Sequence, residues 1–255
     1  MSAARGTLWL VPTPLDFKQT PQPPLAQVLP GATIVQAAQL THWIGENAKS
    51  TRAFLQRVAA VQPLALPLQA LTISDLPRAA HKHGDHQANA AIDQAARALL
   101  APAMQGTAMG LVSEAGLPAV ADPGASVVRA AHALGLSVQP LPGASSITLA
   151  LAASGLGGQH FAFVGYLPTG AARAAQVRAL EQTAQRLGQT QICIETPYRN
   201  AALLADLLQH LQPNTRLALA ANLGQQPQVR MASVAQWRAH NWPAPSTPCV
   251  FMWGP

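Results

Sequence analysis

The chain has 255 residues, 49% of them apolar, with 16 Lys and Arg against 10 Asp and Glu for a formal charge of +6. That length houses one large or two smaller domains with real cores. No apolar run approaches the roughly 18 residues of a membrane span, and the six-residue apolar run in the first twenty is too short for a signal peptide. The basic residues are scattered singly, so the positive balance permits a polyanionic partner such as RNA without specifying one.

In chain order, apolar runs and breakers predict a strand over 7–12, helices over 24–29 and 33–40, a strand over 42–45 and a helix over 48–60. The proline-rich stretch 62–86 has no sustained period and is expected to hold a short strand over 70–73 and a loop. A helix over 87–101, a strand over 107–112, a helix over 124–134 and a strand over 136–140 follow. The later half predicts helices over 145–153, 171–187 and 201–210, with strands over 160–165, 190–195, 216–221, 228–232 and 248–253. The expectation is an α/β protein of two α/β domains, 1–141 with a mostly parallel sheet and 142–255 with a mixed one. Cys193 and Cys249 both sit inside apolar runs and read as buried free thiols of a reducing, cytoplasmic compartment.

Neither a dinucleotide fingerprint nor a phosphate loop is present, and there is no nucleophile elbow. Instead, SEAGLPAVADPG at 113–124 and PLPGASS at 140–146 each put Gly and Pro straight after a strand-like run. There the backbone must turn sharply and can offer its N–H groups to a ligand. His81, His83 and His86 with Asp85 have a spacing that zinc can use. Without cysteines beside them, they are read as a polar loop and no metal is expected. Glu46, Lys49 and Arg52 are three apart and are expected on one helical face, either as a solvated first turn or as a charged face turned into a cleft. Glu195 ends an apolar strand and Arg199 opens a helix, which suits an ion pair or a site. Tyr166 closes another strand beside Gly165, where its ring can stack on a purine or simply pack.

Taken together and in order, VPTP at 11–14, GENAKSTRAFL at 45–55, LVSEAGLPAVADPG at 111–124, PLPGASSITLALAASGL at 140–156, FVGYLP at 163–168 and ETPYR at 195–199 resemble the tetrapyrrole-methylase fold. Within it they are similar to the branch of ribosomal RNA small subunit methyltransferase I, which methylates a cytidine 2′-oxygen. The resemblance implies S-adenosylmethionine as cofactor, bound in a cleft between the two domains, a homodimer, and ribosomal RNA or the small ribosomal subunit as partner. It places Pro12, Thr13, Glu114, Ala115, Gly116, Gly143, Ser145, Ser146, Tyr166, Leu167, Asn222 and Pro248 against the cofactor. Glu46, Lys49, Arg52, Glu195 and Arg199 become the candidates for catalysis and substrate orientation, with no one of them singled out as a base. Members of that branch usually carry Ile-Gly-Asn after VPTP, Glu-Asp-Thr-Arg in the charged motif and Arg-Glu-Leu-Thr near 220. Here stand Leu15-Asp16-Phe17, Glu46-Asn47-Ala48-Lys49 and Ala221-Asn222-Leu223-Gly224. These departures leave donor binding expected and the acceptor open, whether RNA, a tetrapyrrole, a protein side chain, or none in a donor-binding protein without turnover.

Overall fold

Strand β1 (Thr7–Leu10) sends Leu8 and Leu10 into one apolar layer and Trp9 into the other, with Val11 just beyond it joining Trp9. That period-two pattern needs both faces of a sheet covered. Strand β2 (His42–Gly45) repeats it with Trp43 and Ile44. The computed structural model describes residues 4–16, 20–77, 85, 87 and 89–255; the chain divides into two units, Met1–Ala144 and Ser145–Pro255. Phe17 and the histidines 81, 83 and 86 lie outside the described residues.

In the first unit β3 (Thr72–Asp75), β4 (Met109–Leu111) and β5 (Ser137–Pro140) complete a sheet of order β3-β2-β4-β1-β5 with every pair parallel. Helices α1 (Leu25–Val28), α2 (Gly31–Gln39) and α3 (Ala48–Ala59) follow β1 and β2. The α3 helix starts where the Asn47 side chain accepts the Lys49 N–H at 2.8 Å, and it buries Thr51, Phe54, Leu55 and Val58 at helical spacing. Helices α4 (Ala90–Leu99), α5 (Ala101–Met104) and α6 (Ala125–Ala133) sit later in the unit. The expected single helix over 87–101 is thus shorter and followed by a separate turn whose N-terminal Pro102 starts it afresh. The strand expected over 70–73 lies at Thr72–Asp75, because a 3₁₀ turn at Leu68–Ala70 occupies the residues before it.

The second unit opens with α7 (Ser146–Ser154) and has the sheet order β6-β7-β10-β8-β9. Its strands are β6 (Phe161–Phe163), β7 (Thr190–Glu195), β8 (Arg216–Ala221), β9 (Gln228–Ser233) and β10 (Cys249–Gly254). Only β6 and β7 pair in parallel, so the sheet is mixed, as expected. One apolar layer holds Leu217, Leu219, Phe251 and Trp253; the other holds Ile192, Ala218, Ala220 and Met252 with Ile147 and Leu151 of α7. Helices α8 (Ala171–Leu187) and α9 (Asn200–His210) flank it. Sequence reading missed α10 (Val234–His240), a seven-residue helix, although Ser233 and Gln236 form the reciprocal capping box that announces it. Cys193 and Cys249 are both buried and free.

Candidate functional site

In a parallel sheet, ligands collect beyond the carboxyl ends of the strands, where loops diverge and main-chain groups are spare. The motifs of the first unit leave that edge together: VPTP from β1, Gly45-Glu46-Asn47 from β2, the Ser113–Gly124 loop from β4 and Pro142-Gly143 from β5. Three contacts lock them. Thr13 and Gly116 exchange main-chain hydrogen bonds, N to O at 2.9 and 3.0 Å, and the Thr13 hydroxyl donates to the Ser113 carbonyl at 3.2 Å. A Cβ on Gly143 would stand 2.2 Å from Cγ of Pro12, so only glycine lets the β5 loop lie against VPTP. Gly116 itself has φ +84°.

The loop after Gly116 is strained. Ala119 and Ala121 both hold φ +65°, where a Cβ is disfavoured, and Gly124 follows at +134°. Its far end is gripped by Asp85, which is buried and whose Oδ2 accepts the Gly124 N–H at 2.9 Å, the Ser126 N–H at 3.0 Å and the Ser126 hydroxyl at 2.6 Å. Asp85 thereby caps α6, whose own Gly124 has no side chain to do so. Burial alone would raise the Asp85 carboxyl, but the bonds from Ser126 and Gly124 with the nearby Arg129 charge outweigh it and hold it below its ordinary value. Asp122 shows the opposite balance. Burial first, then the Glu46 and Glu114 carboxylates, push it up to about 7 against a hydrogen bond from Ser113. Three carboxyl groups, Glu46, Glu114 and Asp122, therefore interact beside the SEAG turn.

A cavity of about 510 Å³ opens at this edge, lined by Thr13, Pro14, Asp16, Gln22, Asn47, Lys49, Ser50, Thr51, Ala53, Phe54, Arg57, Val112, Ser113 and Glu114. Its size falls in the range of small-ligand sites, about 300–1,000 Å³. The expected common face of Glu46, Lys49 and Arg52 is corrected. Glu46 precedes the Asn47 cap, so it is not on the helix, and its Oε1 accepts the Glu114 N–H at 3.1 Å. Lys49 lines the cavity; Arg52, one turn on, is exposed. Sequence reading gave no site role to Asp16, Arg57, Asp85 or Asp122, although Asp122 lay in the SEAG motif, Asp85 was noted beside the histidines and Asp16 as a departure after VPTP.

In the second unit the strand pairing brings another group of the expected residues to one sheet edge. Cys249 at the start of β10 pairs with Glu195 at the end of β7 and with Ala221 at the end of β8. Pro248 and Asn222 are the next residues outward, and Asn222 turns the chain at φ +55°. Gly165 after β6 accepts the Ile194 N–H, so Tyr166 leaves the same edge, with its side chain exposed. Leu167 is buried in the core, which leaves only its main chain to offer a ligand. Ser145 is buried at the start of α7, where its carbonyl accepts the Leu149 N–H at 3.0 Å, and Ser146 is half-buried. The Glu195 side chain has no exposure: Oε1 takes the Arg199 guanidinium and the Thr196 N–H, both at 2.8 Å, while Arg173 stands 3.7 Å from Oε2. Arg173 is itself buried and paired to Asp206 at 2.9 Å. Arg199 is the partly exposed member, beside the exposed Tyr198 ring.

A family model for tetrapyrrole (corrin/porphyrin) methylases matches residues 32–236. The chain belongs to that family. Among curated relatives of this methylase, a ribosomal RNA small subunit methyltransferase I of Micromonospora olivasterospora is 34% identical over 87% of this chain and 60% of its own length. The same-named protein of Pseudomonas aeruginosa is 31% identical over 94% of this chain and 73% of its own length. The chain thus spans about three fifths of the first relative. Among solved structures, uroporphyrin-III C-methyltransferase of Thermus thermophilus, complexed with S-adenyl homocysteine, aligns with TM-score 0.55 at 16% identity, covering 98% of this chain and 97% of that one. The methyltransferase CobJ aligns with TM-score 0.56 at 15% identity, covering 98% and 94%. The methylase fold, with its parallel first sheet and mixed second one, agrees with the sequence expectation. Among the described residues there is no helix long and apolar enough to cross a membrane and no cluster of three metal-ligating side chains.

Proposed function

We propose that this methylase transfers a methyl group from S-adenosylmethionine to ribosomal RNA of the small subunit, at a ribose 2′-oxygen. The observation that carries the reading is the locked set of loops at the carboxyl edge of the first sheet: Thr13 bridged to Gly116, with Gly143 pressed on Pro12. The relatives named for RNA methylation, and a fold neighbour complexed with the demethylated donor, support it. The residues also suit the donor chemically. The Glu46 and Glu114 carboxylates both act on Asp122 beside the SEAG turn, an acidic surrounding that suits a cationic sulfonium ligand. When bound, the donor supplies a methyl already activated toward a nucleophile, so the protein contributes alignment above all.

The roles of the chain's own residues follow. Pro12, Thr13, Glu114, Ala115, Gly116 and Gly143 supply the donor wall in the first unit, with Ser145, Ser146, Tyr166, Leu167, Asn222 and Pro248 proposed from the second. Lys49 faces the cavity and orients the acceptor, and the exposed Arg52 and half-buried Arg199 meet the flanking phosphates. Glu46 holds the Glu114 main chain and acts by position. Glu195 orders Arg199 from inside the fold and touches no ligand. A cytoplasmic homodimer is proposed with this reading by resemblance, and sedimentation of the purified chain tests the dimer.

The deciding experiment incubates the protein with methyl-labelled S-adenosylmethionine and unmodified small ribosomal subunits. Label recovered in RNA supports the reading. Label in protein, or in an added tetrapyrrole, with none in RNA moves the acceptor to that class. No donor binding by calorimetry at millimolar concentration overturns the enzyme reading altogether.

A further inference from the structure

The charge of the second unit is one-sided. Residues 145–255 carry seven arginines, no lysine and three acidic side chains. Glu181 is buried and accepts from the Thr215 hydroxyl and the Gln212 N–H, Glu195 has no exposure, and Asp206 is paired with the buried Arg173. Across α8, α9, α10 and β9, by contrast, basic groups follow one another over the surface. Arg178 donates to Nδ1 of His210 at 3.2 Å, and Arg238 donates to the Leu208 and Leu211 carbonyls on either side of that histidine. His240, two residues beyond Arg238, stacks on the Trp242 ring at 13° with centroids 4.6 Å apart. The Arg230 guanidinium stands 4.4 Å from the same Trp242 centroid. Arg178, Arg230, Arg238 and His240 are exposed, and among the described residues none of the four is paired with a carboxylate.

The segment that carries Trp242 is fastened without His240 or Arg230. Asn200 Nδ2 donates to the Pro245 and Thr247 carbonyls, both at 2.8 Å, and Trp237 meets Trp242 edge-on at 5.1 Å. What His240 and Arg230 add is an outer layer that is both aromatic and charged. An imidazole stacked by one face on tryptophan turns its other face to solvent, where a nucleobase continues the pile while neighbouring arginines reach phosphates. A polyanion without bases uses the charge and not the ring. The track lies away from the edge that holds Glu195, Asn222 and Pro248. Helix α9 leads from His210 into β8, whose first residue Arg216 pairs with Gly254, at the opposite end of β10 from Cys249. We infer that this face is a second docking surface for a single-stranded RNA segment flanking the acceptor, with one base stacked on His240 and phosphates met by Arg178, Arg230 and Arg238. The choice of RNA rests on the function proposed above, whereas the surface needs neither donor nor acceptor nucleotide to bind.

The test follows the full chain binding a labelled single-stranded RNA of about 12 nucleotides by fluorescence anisotropy. His240→Ala is expected to weaken binding about tenfold, and His240→Phe, which keeps a ring without the charge, by about twofold or less. Arg230→Gln is expected to lower the slope of log affinity against log salt by about 0.7, one phosphate contact on a single strand. Thermal melting reports whether each variant folds. In wild type, which needs no variant, the His240 ring resonances are expected to shift on titration with the RNA, and unmoved resonances overturn the stack. Equal RNA affinity in wild type and folded His240→Ala also overturns it, as for a surface that serves inorganic polyphosphate. No RNA binding at about 100 μM overturns the docking surface outright. Calorimetry with S-adenosylhomocysteine reads the donor site on the same samples and is expected to be unchanged. Binding that depends on His240 without methyl transfer keeps this surface and fails the proposed function. Methyl transfer to RNA with full affinity in His240→Ala does the reverse.

Discussion

Thr13 and Gly116 lie 103 residues apart and exchange both main-chain hydrogen bonds, N to O at 2.9 and 3.0 Å. The bridge joins the first strand's exit to the turn of the SEAG loop, and it requires Gly116 to hold φ +84°. A Cβ there would come within 3.2 Å of the Leu15 side chain and 3.5 Å of the Ala144 carbonyl. Gly116→Val is therefore expected to cost about 1–3 kcal/mol of stability through the backbone conformation and to weaken donor binding by about tenfold or more. Thermal melting and calorimetry with S-adenosylmethionine measure the two effects; unchanged donor affinity in the folded variant would mean that this turn is not part of the donor wall.

Asp122 gives a pH signature. Its folded pKa of about 7 lies above the ordinary 3.8, so between those values the native state holds a proton that the unfolded chain releases. Stability contributed by this group is complete below pH 3.8 and declines as the pH rises toward 7. Asp122→Asn removes the decline and is expected to gain about 1–2 kcal/mol relative to wild type at pH 8, after allowing for solvent screening, with little gain at pH 4. Urea unfolding at the two pH values checks the difference.

Asp85 has the reverse dependence. Its carboxyl is held below 3.8, so its contribution is present above that pH and lost as the pH falls through the depressed folded value. Asp85→Ala leaves the Gly124 and Ser126 N–H groups without their acceptor. The loss of the cap is expected to cost about 1–2 kcal/mol at neutral pH, and Asp85→Asn, which keeps an acceptor oxygen, to cost less. Hydrogen exchange at Gly124 and Ser126 reports the opening directly.

Glu195 and Arg199 separate by burial. Glu195→Gln leaves the buried Arg173 with the Asp206 carboxylate and the Pro168 carbonyl, and is expected to lose about 3 kcal/mol, near the lower end for breaking a buried pair because partners remain. Arg199→Gln removes a guanidinium that is 35% exposed and should cost about 1 kcal/mol or less. Chemical denaturation of both variants checks the order, and equal losses would contradict the structural role given to Glu195.

Local pattern carried much of the secondary structure. Helix α8 at Ala171–Leu187 and strand β7 at Thr190–Glu195 fall on the predicted 171–187 and 190–195, since the first buries residues at helical spacing over seventeen positions and the second is a short run bounded by Gly188 and Thr196-Pro197. Where prolines interrupt the period, as before β3, the register slipped by two residues. The charged residues were harder. Glu46, Lys49 and Arg52 keep helical spacing, yet the Asn47 cap starts the helix after Glu46 and turns its carboxylate to the neighbouring loop. Asp16 and Arg57, 41 residues apart and joined by two hydrogen bonds at 3.0 and 2.8 Å, carry no mutual signal in the chain, because nothing local requires either charge to have a partner.

By itself, the amino-acid sequence determined the α/β class, the family likeness and the loops that leave the strand ends, because turns and periodic burial are short-range demands that a few neighbouring residues satisfy. Tertiary structure alone decided which of those loops meet and which charges cancel. The Thr13–Gly116 bridge, the press of Gly143 on Pro12, the Asp85 cap and the Asp16–Arg57 fork all join distant segments. Hydrogen bonds and ion pairs act over a few ångströms in space whatever the separation along the chain, so they exist only once the parallel sheet has brought its strand ends to one edge.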